Sequence, residues 1–72
     1  MKFEVGKTYE ISHSRKGRFT VYVKAIQDDE WVYSVVMNGQ ATGLRKDVLA
    51  EEGEDLTFRA SLAQIIREIE DA

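Results

Sequence analysis

From Lys7 onward the chain alternates apolar and polar residues with a period of two. Tyr9, Ile11 and His13 interleave with Thr8, Glu10 and Ser12, and Phe19, Val21, Val23 and Ala25 interleave with Thr20, Tyr22 and Lys24. Such alternation predicts half-buried β-strands. Between the two runs, Arg15-Lys16-Gly17 fits a three-residue hairpin loop in which glycine supplies the left-handed residue. That loop would set His13 opposite Phe19, Ile11 opposite Val21 and Tyr9 opposite Val23, which gathers the large apolar side chains on one face.

A second turn at Gln27-Asp28-Asp29-Glu30 leads into Trp31-Val32-Tyr33-Ser34-Val35-Val36-Met37, which is apolar on both faces. With a three-residue loop, Trp31, Tyr33, Val35 and Met37 join the core; with a two-residue loop, Val32, Ser34 and Val36 do. The first is preferred because it buries more aromatic area. In the other arrangement Trp31, Tyr33 and Tyr22 with Met37 form an outward aromatic patch suited to a partner protein. Asn38-Gly39 signals a third hairpin, followed by a short strand over 40–45, a loop over 46–55 with a helical turn at 47–50, and a fifth strand at Leu56-Thr57-Phe58-Arg59. Ser61 and Gln64 then form a capping-box pair. Leu62, Ile65, Ile66 and Ile69 recur at helical spacing, which predicts an amphipathic helix over 61–71.

These elements predict a mainly β single domain over 1–72: a small barrel or strongly curled antiparallel sheet of four to five strands (about 7–59) with a C-terminal helix. Seventy-two residues bury only about 60% of the unfolded surface, so the core is small. The run VGKTYEISHSRKGRFTVYVKAIQDDEWVYSVVMNGQATGL, residues 5–44, resembles the SH3-like small barrels of phage and prophage proteins and, more loosely, KOW and Tudor modules. That resemblance implies a binding module rather than an enzyme.

Charge sharpens the picture. The formal net charge is -3, yet residues 1–46 carry eight Lys or Arg against five acids, and residues 47–72 carry two against eight. A polyanion could approach only one side of so polarised a molecule. The candidate binding residues are the hairpin tip Arg15, Lys16 and Arg18, the sheet face around Tyr22 and Lys24, and Arg45 with Lys46. The leading expectation is a partner protein on the tip and sheet face; the alternative is single-stranded nucleic acid held by the tip with Arg45 and Lys46. A homodimer through Leu62, Ile65, Ile66 and Ile69 is a further expectation.

Catalytic and metal chemistry find little to work with. There is no cysteine and one histidine, which excludes disulfides, thiolate metal sites and cysteine nucleophiles. His13 is expected to cap a core strand beside Phe19. The acids around Gly53 (Glu51, Glu52, Glu54, Asp55) lack the spacing of a calcium loop and read as a solvated loop. No phosphate-cradling glycine loop occurs. The expectation is a non-catalytic protein without cofactor, cytoplasmic, and without a membrane-spanning segment.

Overall fold

In the computed structural model, which describes residues 2–38 and 52–69, five strands form one antiparallel sheet: β1 (Thr8–His13), β2 (Gly17–Gln27), β3 (Trp31–Asn38), β4 (Asp55–Arg59) and β5 (Ala63–Ile69). Their order is β4-β3-β2-β1-β5. A 3-10 turn over Ala60–Leu62 joins the two outermost strands directly. In a flat sheet those strands would lie about 19 Å apart, whereas a single 3-10 turn advances only about 2 Å per residue. The sheet must therefore curl to bring its edges together at that end. It remains open, with no pairing of β4 to β5 among the described residues. Of the two expected forms, the curled antiparallel sheet is found and the closed barrel is not.

The inner face of the curl holds Tyr9, Ile11, Phe19, Val21, Val23, Val32, Val36, Leu56 and Phe58, all buried. An N-terminal segment that alternation does not reveal closes one end. Phe3 packs edge-on against Tyr9 and Phe58, with ring centroids 5.2 and 5.4 Å away. The Tyr9 hydroxyl accepts from the Glu4 amide at 2.9 Å and donates to the Lys2 carbonyl at 3.3 Å. Buried Ser34 donates its Oγ–H to the Leu56 carbonyl at 2.9 Å, so its hydroxyl is satisfied within the core.

Three bulges shape the sheet. In the β2–β3 ladder, Val23 faces Ser34 and Ala25 faces Tyr33, which leaves Lys24 as an extra residue; Thr20 faces Asn38 and Val21 faces Val36, which leaves Met37 extra. In the β1–β5 ladder, Glu10 faces Arg67 and Ile11 faces Ile65, which leaves Ile66 extra. A bulge bends its strand and increases the local twist, which is what an open five-stranded sheet needs in order to curl.

The same bulges overturn two expectations. The loop between β2 and β3 does have three residues, since Gln27 pairs with Trp31. Plain alternation would then send Trp31, Tyr33, Val35 and Met37 inward. The extra Lys24 reverses the parity: Ile26 packs against the core, Val32, Ser34 and Val36 are buried, and the aromatic set faces outward. The predicted C-terminal helix is replaced by β5. There, Ile65 packs against the core, while Ile66 in the bulge and Leu62 in the 3-10 turn are exposed. Two β-branched isoleucines side by side suit a strand better than a helix, and the bulge between them mimics helical spacing. The stripe Leu62, Ile65, Ile66, Ile69 thus does not share one helical face.

The first hairpin keeps its predicted faces with a shifted register. His13 pairs with Gly17, Ile11 with Phe19 and Tyr9 with Val21, a displacement of two residues. An even shift leaves each side chain on the same face, and Ile11 and Val21 are both fully buried. Gly17, at φ 83°, opens β2, so the loop is Ser14-Arg15-Lys16. The turn and strand expected over 38–50 lie beyond Asn38 and so outside the described residues, as do Arg45 and Lys46.

Candidate functional site

The basic tip is organised by His13. Its Nδ1 accepts from the backbone N–H of Arg15 at 3.1 Å and of Lys16 at 3.3 Å. Two donors on Nδ1 require a neutral imidazole carrying its proton on Nε2. The ring is buried and lies edge-on to Phe58, 6.0 Å between centroids. Burial, followed by the charges of Lys16 and Arg15, pushes the His13 pKa down from its ordinary value. The histidine therefore caps the turn against the core, next to Phe58 rather than opposite Phe19, and its Nδ1 is not free to act as a general base.

Of the cations expected at the tip, Arg18 meets a carboxylate. Arg18 pairs with Glu10 at 3.1 Å, and Arg67 pairs with the other Glu10 oxygen at 2.8 Å. Hydrogen bonds from Arg67 and then Arg18 hold the Glu10 carboxyl below the usual carboxylate range. Lys24 pairs with Asp55 at 2.7 Å. Arg15 is exposed and Lys16 half-buried in the turn. Tyr22 is half-buried on the outer face, opposite Thr8 and Val35. Tip and sheet face are thus parts of one convex surface, on which Lys24 is matched by Asp55 while Arg18 shares the single Glu10 carboxylate with Arg67.

Beside them, the Lys24 bulge turns an aromatic-rich set of side chains to the outer surface. Tyr22 pairs with Val35, Ala25 and Thr57 flank Tyr33, and Arg59 pairs with Trp31. Tyr33 is 37% and Met37 47% exposed, so both offer area to a partner. The Arg59 guanidinium lies 4.8 Å from the Trp31 ring centroid, a cation–π contact, and pairs with Glu30 at 3.6 Å. The Tyr33 hydroxyl donates to Gln27 Oε1 at 2.7 Å. These anchors hold the rings in place before any contact is made.

On the opposite, concave side lies a cleft of about 580 Å³, bordered by Lys2, Phe3, Ile26, Asp29, Val32, the 3-10 turn and Ala63–Ile65. Sequence reasoning missed it, since its walls come from three distant segments; the apolar Phe3 ahead of the first alternating run was the one local signal. Among the described residues no group of three His, Cys, Asp or Glu could hold a metal ion. No helix among them is long and apolar enough to cross a membrane. Comparison with protein-family models, with curated proteins and with solved structures finds no match to this chain.

Proposed function

We propose that this chain is a non-catalytic protein-interaction module which docks a partner protein on its convex outer face, through Trp31, Tyr33, Met37 and the adjoining Tyr22 and Lys24. The observation that carries this reading is the outward, pre-anchored aromatic surface on β3. Aromatic and methionine side chains contribute much contact area for little lost freedom, and they concentrate binding energy in interfaces. We read the fold as an open relative of the SH3-like barrels of phage-type proteins. The strand order and the 3-10 link between the outer strands support that reading. Nucleic-acid binding at the tip is the weaker alternative, because Arg18, one of its three cations, already has a carboxylate partner and counterion release grows with the number of phosphates neutralised.

A photoreactive phenylalanine analogue in place of Tyr33, compared with one in place of Ser12, tests the proposal in the cells of origin. The expected result is a discrete protein adduct from position 33 that Met37→Asp abolishes. Equal adducts from both positions, or adducts to nucleic acid, would overturn it. A mobility shift with single-stranded oligonucleotides at low salt that Arg15→Glu removes would favour the alternative.

A further inference from the structure

The concave cleft differs in kind from the outer face. Ala63 and Ile65 turn toward the core side of β5, whereas Gln64, opposite Ser12, lies on the other side. All three border the cleft. Successive residues of a strand point to opposite faces, so three consecutive residues can line one cleft only if the strand's edge faces it. β1 occupies one edge of β5. The other edge carries no strand among the described residues, although the Ala63 N–H there turns back to the Ala60 carbonyl. The Ser14 N–H bonds the Leu62 carbonyl on the β1 side, so the alternation of an antiparallel ladder turns the Gln64 groups to β1 and those of Ala63 and Ile65 to the free edge. Up to the Ile66 bulge this leaves the Ala63 C=O and the Ile65 N–H as a short template for another extended chain.

The cleft beside this edge supplies apolar walls from Phe3, Ile26, Val32 and Ile65, and its volume falls within the roughly 300–1,000 Å³ range of ligand pockets. Its rim carries Lys2 and Asp29, of opposite sign. Neither forms an ion pair with another described residue. The surroundings thus ask for a backbone to pair, an apolar side chain to bury, and flanking charges of both signs.

We infer that the β5 edge at Ala63–Ile65 and the cleft beside it bind an extended segment of a partner polypeptide, adding it as a sixth strand. One apolar side chain of that segment fills the cleft, an acidic neighbour faces Lys2 and a basic neighbour faces Asp29. The proposal concerns a second surface and does not rest on the outer aromatic face.

Selection of a phage-displayed random heptapeptide library on the full chain, followed by amide chemical-shift mapping and an N-methyl scan of an enriched peptide, tests it. Enriched peptides should carry an apolar residue between charges of opposite sign, and the shifts should centre on Ala63, Gln64, Ile65 and Phe3. N-methylation should weaken binding about tenfold at alternate positions and leave the intervening ones nearly unchanged, because only alternate amides of a strand face its neighbour. Lys2→Glu should shift the preference to peptides with a base in place of the acid. No enrichment, or a flat N-methyl scan, would overturn the inference. Shifts centred on Trp31 and Tyr33 would overturn it while supporting the outer-face reading. Sedimentation showing a dimer that occupies the β5 edge would also overturn it, by giving the edge to a second copy of the chain.

Discussion

Protonating His13 should open the basic tip, and the size of the effect follows from linkage. In the folded protein the imidazole is buried and accepts two amide hydrogen bonds on Nδ1, and its pKa is lowered from 6.5. The unfolded chain therefore binds the proton at a higher pH than the folded one. Stability from this group is complete above about pH 6.5 and is lost as the pH falls below it, with a slope no steeper than about 1.4 kcal/mol per pH unit. At pH 5.5 that slope bounds the loss at about 1.4 kcal/mol, against the roughly 3–5 kcal/mol that a core of this size supplies. Urea titrations followed by Trp31 fluorescence at pH 7.5, 6.5 and 5.5 would register it. With a slope near 1 kcal/mol per molar urea for so small a chain, the midpoint should fall with pH, by no more than about 1.4 M. His13→Asn keeps a side-chain acceptor without the titration, and should remove most of that pH dependence. The Glu10 carboxyl, with its lowered pKa, contributes its own loss only at more acid pH. If the two proteins lose stability equally between pH 7.5 and 5.5, the capping role of His13 is wrong.

Two further outcomes follow from β3 and its turn. Val32→Ala should cost about 2–3 kcal/mol, from two methyl equivalents at about 0.8 kcal/mol each plus a cavity, whereas Tyr33→Thr should cost about 1 kcal/mol or less, since threonine keeps the strand propensity; thermal or urea unfolding reads both, and a reversed order would place the wrong residue inside. Asp28 and Asp29 hold positive φ, 56° and 54°, in a turn closed by the Glu30 amide on the Gln27 carbonyl at 3.0 Å, and glycine is favoured at the second position of such turns; Asp29→Gly should raise stability by about 0.5–1 kcal/mol, and a loss would show that the carboxylate matters more than the backbone.

The first hairpin was legible because alternation and turn chemistry agree there, and its register error of two residues was harmless because faces repeat every two. The third strand was not legible, for a reason the sequence hides. With apolar residues on both faces, loop length alone decides the parity, and the Lys24 bulge reverses the parity that loop length sets. The C-terminal segment failed through the same device, with Ile66 displaced from the ladder so that an irregular strand borrows a helical period. The basic tip was visible as composition, but the carboxylates that meet Arg18 and Lys24 were not. Glu10 lies eight residues from Arg18 and 57 from Arg67, and Asp55 lies 31 from Lys24; only the sheet order brings them together. The β5 edge and the cleft likewise depend on which strands end up outermost, a property of the whole topology.

Because the chain contains no native cysteine, single cysteines can be placed one at a time from position 31 to 37 and their reaction rates with a water-soluble maleimide compared under native conditions. Fast labelling at 33 and 37 with protection at 32, 34 and 36 is the outcome expected if the Lys24 bulge turns the aromatic side of β3 toward solvent. Protection at 33 and 37 with fast labelling at 32 and 36 would contradict it, and would remove the outer face from consideration as a docking surface.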